Sequence, residues 1–150
     1  MERVSNLNFP PYLYEMLLSA GLGMLLGLER AIRKKDASIT TFALVSLGSF
    51  LFTRVGVETI TSWEGATADP LRVAAQIVSG VGFVGAGVIF KDHDHVAGIT
   101  TAVMIWMAAS IGMACGLSMT DLALWAVVVY FLVIFISRAV HCLVGIVYEK

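Results

Sequence analysis

Between Asp69 and Ile89 the chain reads DPLRVAAQIVSGVGFVGAGVI, apolar enough for lipid yet paved with Gly80, Gly82, Gly85 and Gly87. In water, a helix would lose roughly 1 kcal/mol for each such glycine relative to alanine. In lipid, the same residues let neighbouring backbones approach closely. The segment also opens with Arg72 and Gln76, polar groups that a membrane tolerates near its surface or against a partner. It reads as a membrane helix packed inside a bundle.

The rest of the chain agrees. Of 150 residues, 58% are hydrophobic and 14% charged, against ~45–50% and ~25% in soluble domains. A net charge of −1 provides no basic footprint, so nucleic acid is not an expected partner. Cys115 and Cys142 lie in apolar blocks, where cysteine acts as a small hydrophobe, and no disulfide is expected. The first apolar block contains Glu15 and ends in a charge cluster, so it does not read as a cleavable signal peptide.

A span needs about 20 mostly apolar residues. Five are expected, at about 12–28, 39–57, 71–90, 98–117 and 122–144. The expected fold is therefore an all-α integral membrane protein, a compact bundle of five transmembrane helices forming one domain over residues 1–150. Arg30, Arg33, Lys34 and Lys35 follow the first span and place that loop in the cytoplasm. The N-terminus is then outside and the C-terminus cytoplasmic. Lys91, Arg138 and Lys150 fall inside, and Arg3, Arg54 and Arg72 outside. The outer loop is acidic, with Glu58, Glu64 and Asp69, and Tyr12, Tyr14 and Trp63 fit an interfacial aromatic belt. The chain stops at Lys150 with no C-terminal soluble domain expected.

Gly80-x-Gly82-x-x-Gly85 matches the dinucleotide fingerprint in form only. That motif needs a strand before it and a helix after it, whereas here it lies mid-span. Helix packing is the better reading. Ser19, Gly23 and Gly27, and likewise Ala108, Gly112 and Gly116, recur every four residues and form flat stripes. Such stripes serve either packing within the chain or association between copies.

Polar residues at membrane depth are the sharper clue, because they face a partner or a wet cavity. Glu15 shares a depth with Arg72 and Gln76, so a Glu15–Arg72 pair is expected. Glu29 and Arg30 lie at the opposite end, with Arg138 and His141. For Arg54 and Arg138 the sequence favours snorkelling to the headgroups; for Glu29 and Arg72 it favours a paired or functional role. Lys91-Asp92-His93-Asp94-His95 contains metal-binding residue types, but alternating side chains in a tight turn rarely converge on one ion. A solvated loop is preferred, with His93 and His95 not assigned as ligands and no cofactor expected. Thr100 and Thr101 cap the fourth helix or bond across the bundle. Ser79 has no histidine at its depth, and no catalytic residues are assigned.

At these residues the chain resembles the membrane domain of the MgtC/SapB family of bacterial inner-membrane proteins, over about Met16 to Leu117. The resemblance rests on GLER at 27–30, ALVSLGSFLF at 43–52, RVAAQIVSGVGFVGAGVI at 72–89 and GITTAVMIWMAASIGMACG at 98–116. It implies a multi-pass protein of the bacterial inner membrane, linked to magnesium limitation and, in pathogens, to survival inside host cells. The motif residues it carries over are Glu29, Arg30, Asp69, Arg72, Gln76, Ser79, Gly80, Gly82, Gly85, Gly87, Thr100 and Thr101. Where the family usually reads AGLRT, this chain has Ala37-Ser38-Ile39-Thr40-Thr41, so Thr40 replaces an expected arginine.

Two functions compete. One is a non-enzymatic regulator whose small-residue stripes bind another membrane protein or a second copy, as a homodimer or higher oligomer, with membrane lipid as a further partner. The other is a small transporter of magnesium or another cation, its path running past Gln76 and Ser79 along the glycine-rich backbone. No carboxylate sits at mid-depth, which weighs against the second.

Overall fold

The structure, a computed structural model, describes residues 12–33, 38–62, 69, 71–92 and 95–148. Five helices follow one another: α1 (Leu13–Ile32), α2 (Ile39–Ser62), α3 (Leu71–Ala86), α4 (Ile99–Gly116) and α5 (Thr120–Tyr148). A short antiparallel hairpin, β1 (Phe90–Asp92) with β2 (His95–Ala97), separates α3 from α4. The all-α expectation holds apart from this hairpin. Of the five helices, α2, α4 and, over 120–144, α5 are long and apolar enough to cross a membrane.

Helix boundaries follow local chemistry. Ser38 begins α2 as an N-cap, its Oγ accepting from the Thr41 backbone N–H at 3.2 Å. The third helix stops at Ala86, four residues short of the expected span, because a turn through Gly87 leads into the hairpin. Gly98 then reverses the chain at φ 89°, where a Cβ would overlap the Val88 carbonyl, and α4 starts beyond it. At its far end α4 closes on Ser118, at φ 58°, with Met119 N–H on Ala114 O and Ser118 N–H on Cys115 O, both at 2.9 Å. This is the Schellman pattern, with serine in the position that usually favours glycine.

The core is a three-helix unit with α2 in its centre. Leu22 and Leu26 of α1, Phe42 and Phe50 of α2, and Ile105 and Ile111 of α4 are almost wholly buried. The two small-residue ladders make this unit possible. A Cβ on Gly23 would stand 2.6 Å from Phe42 O, and one on Gly27 would stand 2.6 Å from Ile39 Cα. Where α4 meets α2, a Cβ on Gly112 would overlap the Ser46 carbonyl, and one on Gly116 would lie 2.8 Å from Phe50 O. Both ladders are thus used within the chain. Between them Ser46 Oγ donates to Ser19 O at 2.8 Å and accepts from Ser19 Oγ at 2.9 Å, so neither buried hydroxyl lacks a partner.

The outer helices are looser, and the bundle is less compact than expected. In α5 only 6% of the apolar window is buried, against 44% in α4. Ala123 and Val127 anchor it to the core, while most of its remaining apolar side chains are exposed. Among the described side chains of α3, residues 72–86, only Ile77 and Gly85 are buried.

Candidate functional site at the charged end of the bundle

The final turn of α1 continues past the expected span and carries Glu29 and Arg30 into the protein rather than away from it. Glu29 is the centre of a charge cluster. Arg30 Nε donates to its Oε2 at 2.8 Å, Arg33 Nε to Oε1, and Arg138 Nη2 also to Oε1, at 3.1 Å. The Glu29 and Arg30 side chains are 6% and 5% exposed, so this ion pair is buried, whereas Arg138 is 55% exposed. Three guanidiniums around one carboxylate leave the cluster cationic. The expected role of Glu29 in pairing is realised. The expected snorkelling of Arg138 is not: it reaches across from α5 to α1.

A second polar cluster, absent from the sequence-derived candidates, closes the opposite end. Tyr12 Oη donates to Glu58 Oε1 at 2.6 Å, and Arg54 Nη2 meets the same oxygen at 3.1 Å. The Arg54 guanidinium carbon lies 3.9 Å from the centre of the Tyr12 ring, and Nη1 donates to Ser118 Oγ at 3.3 Å. Arg54 is therefore a tie between three helix ends, not a free snorkelling cation. The signal in the sequence was the Arg54–Glu58 spacing of four, which sets opposite charges one turn apart. Glu15 and Arg72 do not form the expected ion pair. Glu15 turns inward and leaves Oε2 buried without a hydrogen-bond partner, while Arg72 is exposed at the start of α3.

The remaining candidates are spread along α3 and the start of α4. Asp69 precedes α3, its carbonyl accepting from the Arg72 N–H at 3.1 Å. Gln76, Ser79, Gly80 and Gly82 are all exposed, and a Cβ on Gly80 or Gly82 would meet nothing within 4 Å. Gly85 alone of the four glycines packs on another helix, where a Cβ would find Ala102 at an ordinary 3.6 Å; Gly87 forms the turn. The glycine-paved face of α3 is thus mostly not used in the chain's own core. Beside it lies an open groove of about 440 Å³ between α2 and α3, lined in part by Gly48, Phe52, Gln76, Gly80 and Val84. Thr101 is buried and Thr100 exposed. His93 and Asp94 lie outside the described residues, as do Lys34, Lys35 and Trp63, so the readings placed on them concern the sequence alone.

Comparison with known proteins settles the family. The sequence model of the MgtC family matches residues 16–143, which takes in most of α5 as well as the segments that carried the resemblance. The chain belongs to the MgtC family. It is 40% identical over 119 residues to protein MgtC of Salmonella typhimurium (strain LT2), covering 79% of this chain and 49% of that protein. It is 37% identical over 126 residues to YhiD of Escherichia coli (strain K12), covering 82% of this chain and 59% of that one. An uncharacterized protein of Haemophilus influenzae is 40% identical over 107 residues, covering 68% of this chain and 45% of its own length. The chain spans about half the length of the curated relatives it matches. No solved structure matches it. Family membership together with three apolar helices of spanning length makes this a helical membrane protein.

Proposed function

We propose that this member of the MgtC family is a non-enzymatic regulator of other membrane proteins during magnesium limitation. It acts as a single five-span domain in the bacterial inner membrane, with its N-terminus outside and its C-terminus in the cytoplasm. The observation that carries this reading is the groove between α2 and α3. Glycines line it on both sides, Gly48 and Gly80, and neither is occupied by the chain itself. Gln76 is exposed along it, a polar group at membrane depth, where such groups are rarely left facing lipid. Small residues for close approach and an amide for cross-helix bonding are what a partner span needs. The magnesium in the name given to YhiD supports the physiological setting, and the cluster around Arg54 ties α2, one wall of the groove, to the start of α1 and the end of α4.

Gly80→Leu tests this directly. The site is open, so the variant should accumulate and unfold like the parent, yet fail to complement a strain lacking its homologue at low magnesium. Full complementation would overturn the regulator reading.

A second reading has one specific observation behind it: the name given to YhiD assigns that relative provisionally to magnesium transport. Flux of magnesium into sealed proteoliposomes containing only this protein would favour transport, with Gln76 and Ser79 on the path. No flux from well-folded protein would leave the regulator.

A further inference from the structure

A second groove runs between α1 and α5 and ends at the Glu29 cluster. Leu25, Leu28 and Ile32 form one wall, and Phe131, Ile134 and Phe135 the other. On α1 the three residues are spaced by three, four and seven, and on α5 Ile134 and Phe135 follow Phe131 by three and four, so each helix presents one stripe to the other. The helices diverge enough to leave about 400 Å³ between the stripes, within the range of small-molecule sites (~300–1,000 Å³). The groove is apolar along its length and polar at one end only, where Glu29 and Arg138 complete the lining.

That end carries uncompensated positive charge. Three arginines share the single Glu29 carboxylate, and two of them, Arg33 and Arg138, are 34% and 55% exposed. Each guanidinium has five N–H donors in a planar fork suited to phosphate. The contacts with Glu29 engage one nitrogen of Arg33 and one of Arg138. The surrounding sequence does not cancel the charge: residues 29–36 and Arg138 together contain five lysines and arginines against two acids.

We infer that this groove is a binding site for an anionic phospholipid. One acyl chain lies between α1 and α5, and the headgroup phosphate sits on Arg33 and Arg138. The occupant must be long and apolar along the groove, and anionic at the end next to Glu29. A transmembrane helix meets the first condition without the second, and free phosphate meets the second without the first. Basic pockets between transmembrane helices at a membrane surface recognise anionic headgroups for this reason. The inference stands apart from the regulatory reading, since it concerns a different groove and either leaflet.

The test is native mass spectrometry of the full chain in detergent with phosphatidylglycerol or phosphatidylcholine, with thermal unfolding followed in parallel. Phosphatidylglycerol should be retained preferentially and should raise the unfolding temperature. Arg138→Gln should lower its affinity about fivefold without changing that of phosphatidylcholine. Leu28→Trp, at a half-exposed site that accommodates a larger side chain, should fill the groove and abolish retention while the protein still folds. Equal retention of the two lipids, or no effect of Arg138→Gln, would overturn the proposal. Inorganic phosphate stabilising as well as the lipid would also overturn it, because the groove would then have no part. A dimeric mass lost on Leu28→Trp would overturn it in favour of a second copy.

Discussion

At the scale of single residues, the arginines around Glu29 are not equivalent. Arg30 is as buried as the carboxylate it holds, whereas Arg138 contributes from a half-exposed position. Removing one partner of a buried pair leaves the other charge uncompensated and typically costs about 3–5 kcal/mol; exposed pairs contribute ~1 kcal/mol or less. Glu29→Gln should therefore lower the unfolding temperature in detergent far more than Arg138→Gln. Equal effects would show that Arg30 is stabilised by something other than this pair. Glu29 could be found from the sequence, because it is a carboxylate at membrane depth with Arg33 one turn further along the same helix. Arg138 and Arg54 could not. Hydropathy gives a residue's depth in the membrane but not the direction it takes around its helix axis. A cation reaching sideways to another helix therefore reads the same as one reaching upward to headgroups.

At the scale of elements, glycine has two distinct uses in this chain. Gly23, Gly27, Gly112 and Gly116 are contact points where a methyl group does not fit against α2. Gly80 and Gly82 face open space. Gly112→Ala should destabilise by about 1–3 kcal/mol, the usual cost of overpacking. Gly80→Ala should be neutral or stabilising by up to about 1 kcal/mol through helix propensity. Chemical unfolding of the two variants decides the matter, and an equal loss would mean that the face of α3 is packed after all. The spacing of four in α1 and α4 was visible in the sequence and correctly signalled close packing. In α3 the density of glycine was just as visible, but it did not reveal that most of this face is unpartnered. Composition reports that a backbone can be approached, not that anything approaches it.

At the scale of the whole molecule, α1, α2 and α4 form the packed unit, with α3 and α5 attached to its flanks. Polar ties close both ends, Glu29 with its arginines at one and Tyr12, Arg54, Glu58 and Ser118 at the other. The number and order of the helices were legible because each apolar block is long. The hairpin and the exposure of α5 were not, since a helix that is apolar all round looks alike whether protein or lipid surrounds it. The proposed orientation makes a direct prediction. In a Cys142→Ser background, Ser62→Cys at the exposed end of α2 should react with a membrane-impermeant maleimide in intact spheroplasts, while buried Cys115 stays silent. Labelling of position 62 only after lysis would invert the topology.

The early stop of α3 bears on the membrane as well as on the protein. Its 16 residues rise only about 24 Å, short of the ~30 Å hydrocarbon layer that a span must match. The hairpin that follows pairs its own backbone groups, which suits it to the lower-polarity edge of that layer. Under the proposed five-span arrangement, lipid next to α3 must thin, or the helix must draw its flanking residues inward, and either response costs fractions of a kcal/mol per ångström of mismatch. In that arrangement the groove between α2 and α3 lies where the bilayer has to adapt to the short helix. A partner span docking there relieves that deformation, so its affinity should rise as acyl chains lengthen.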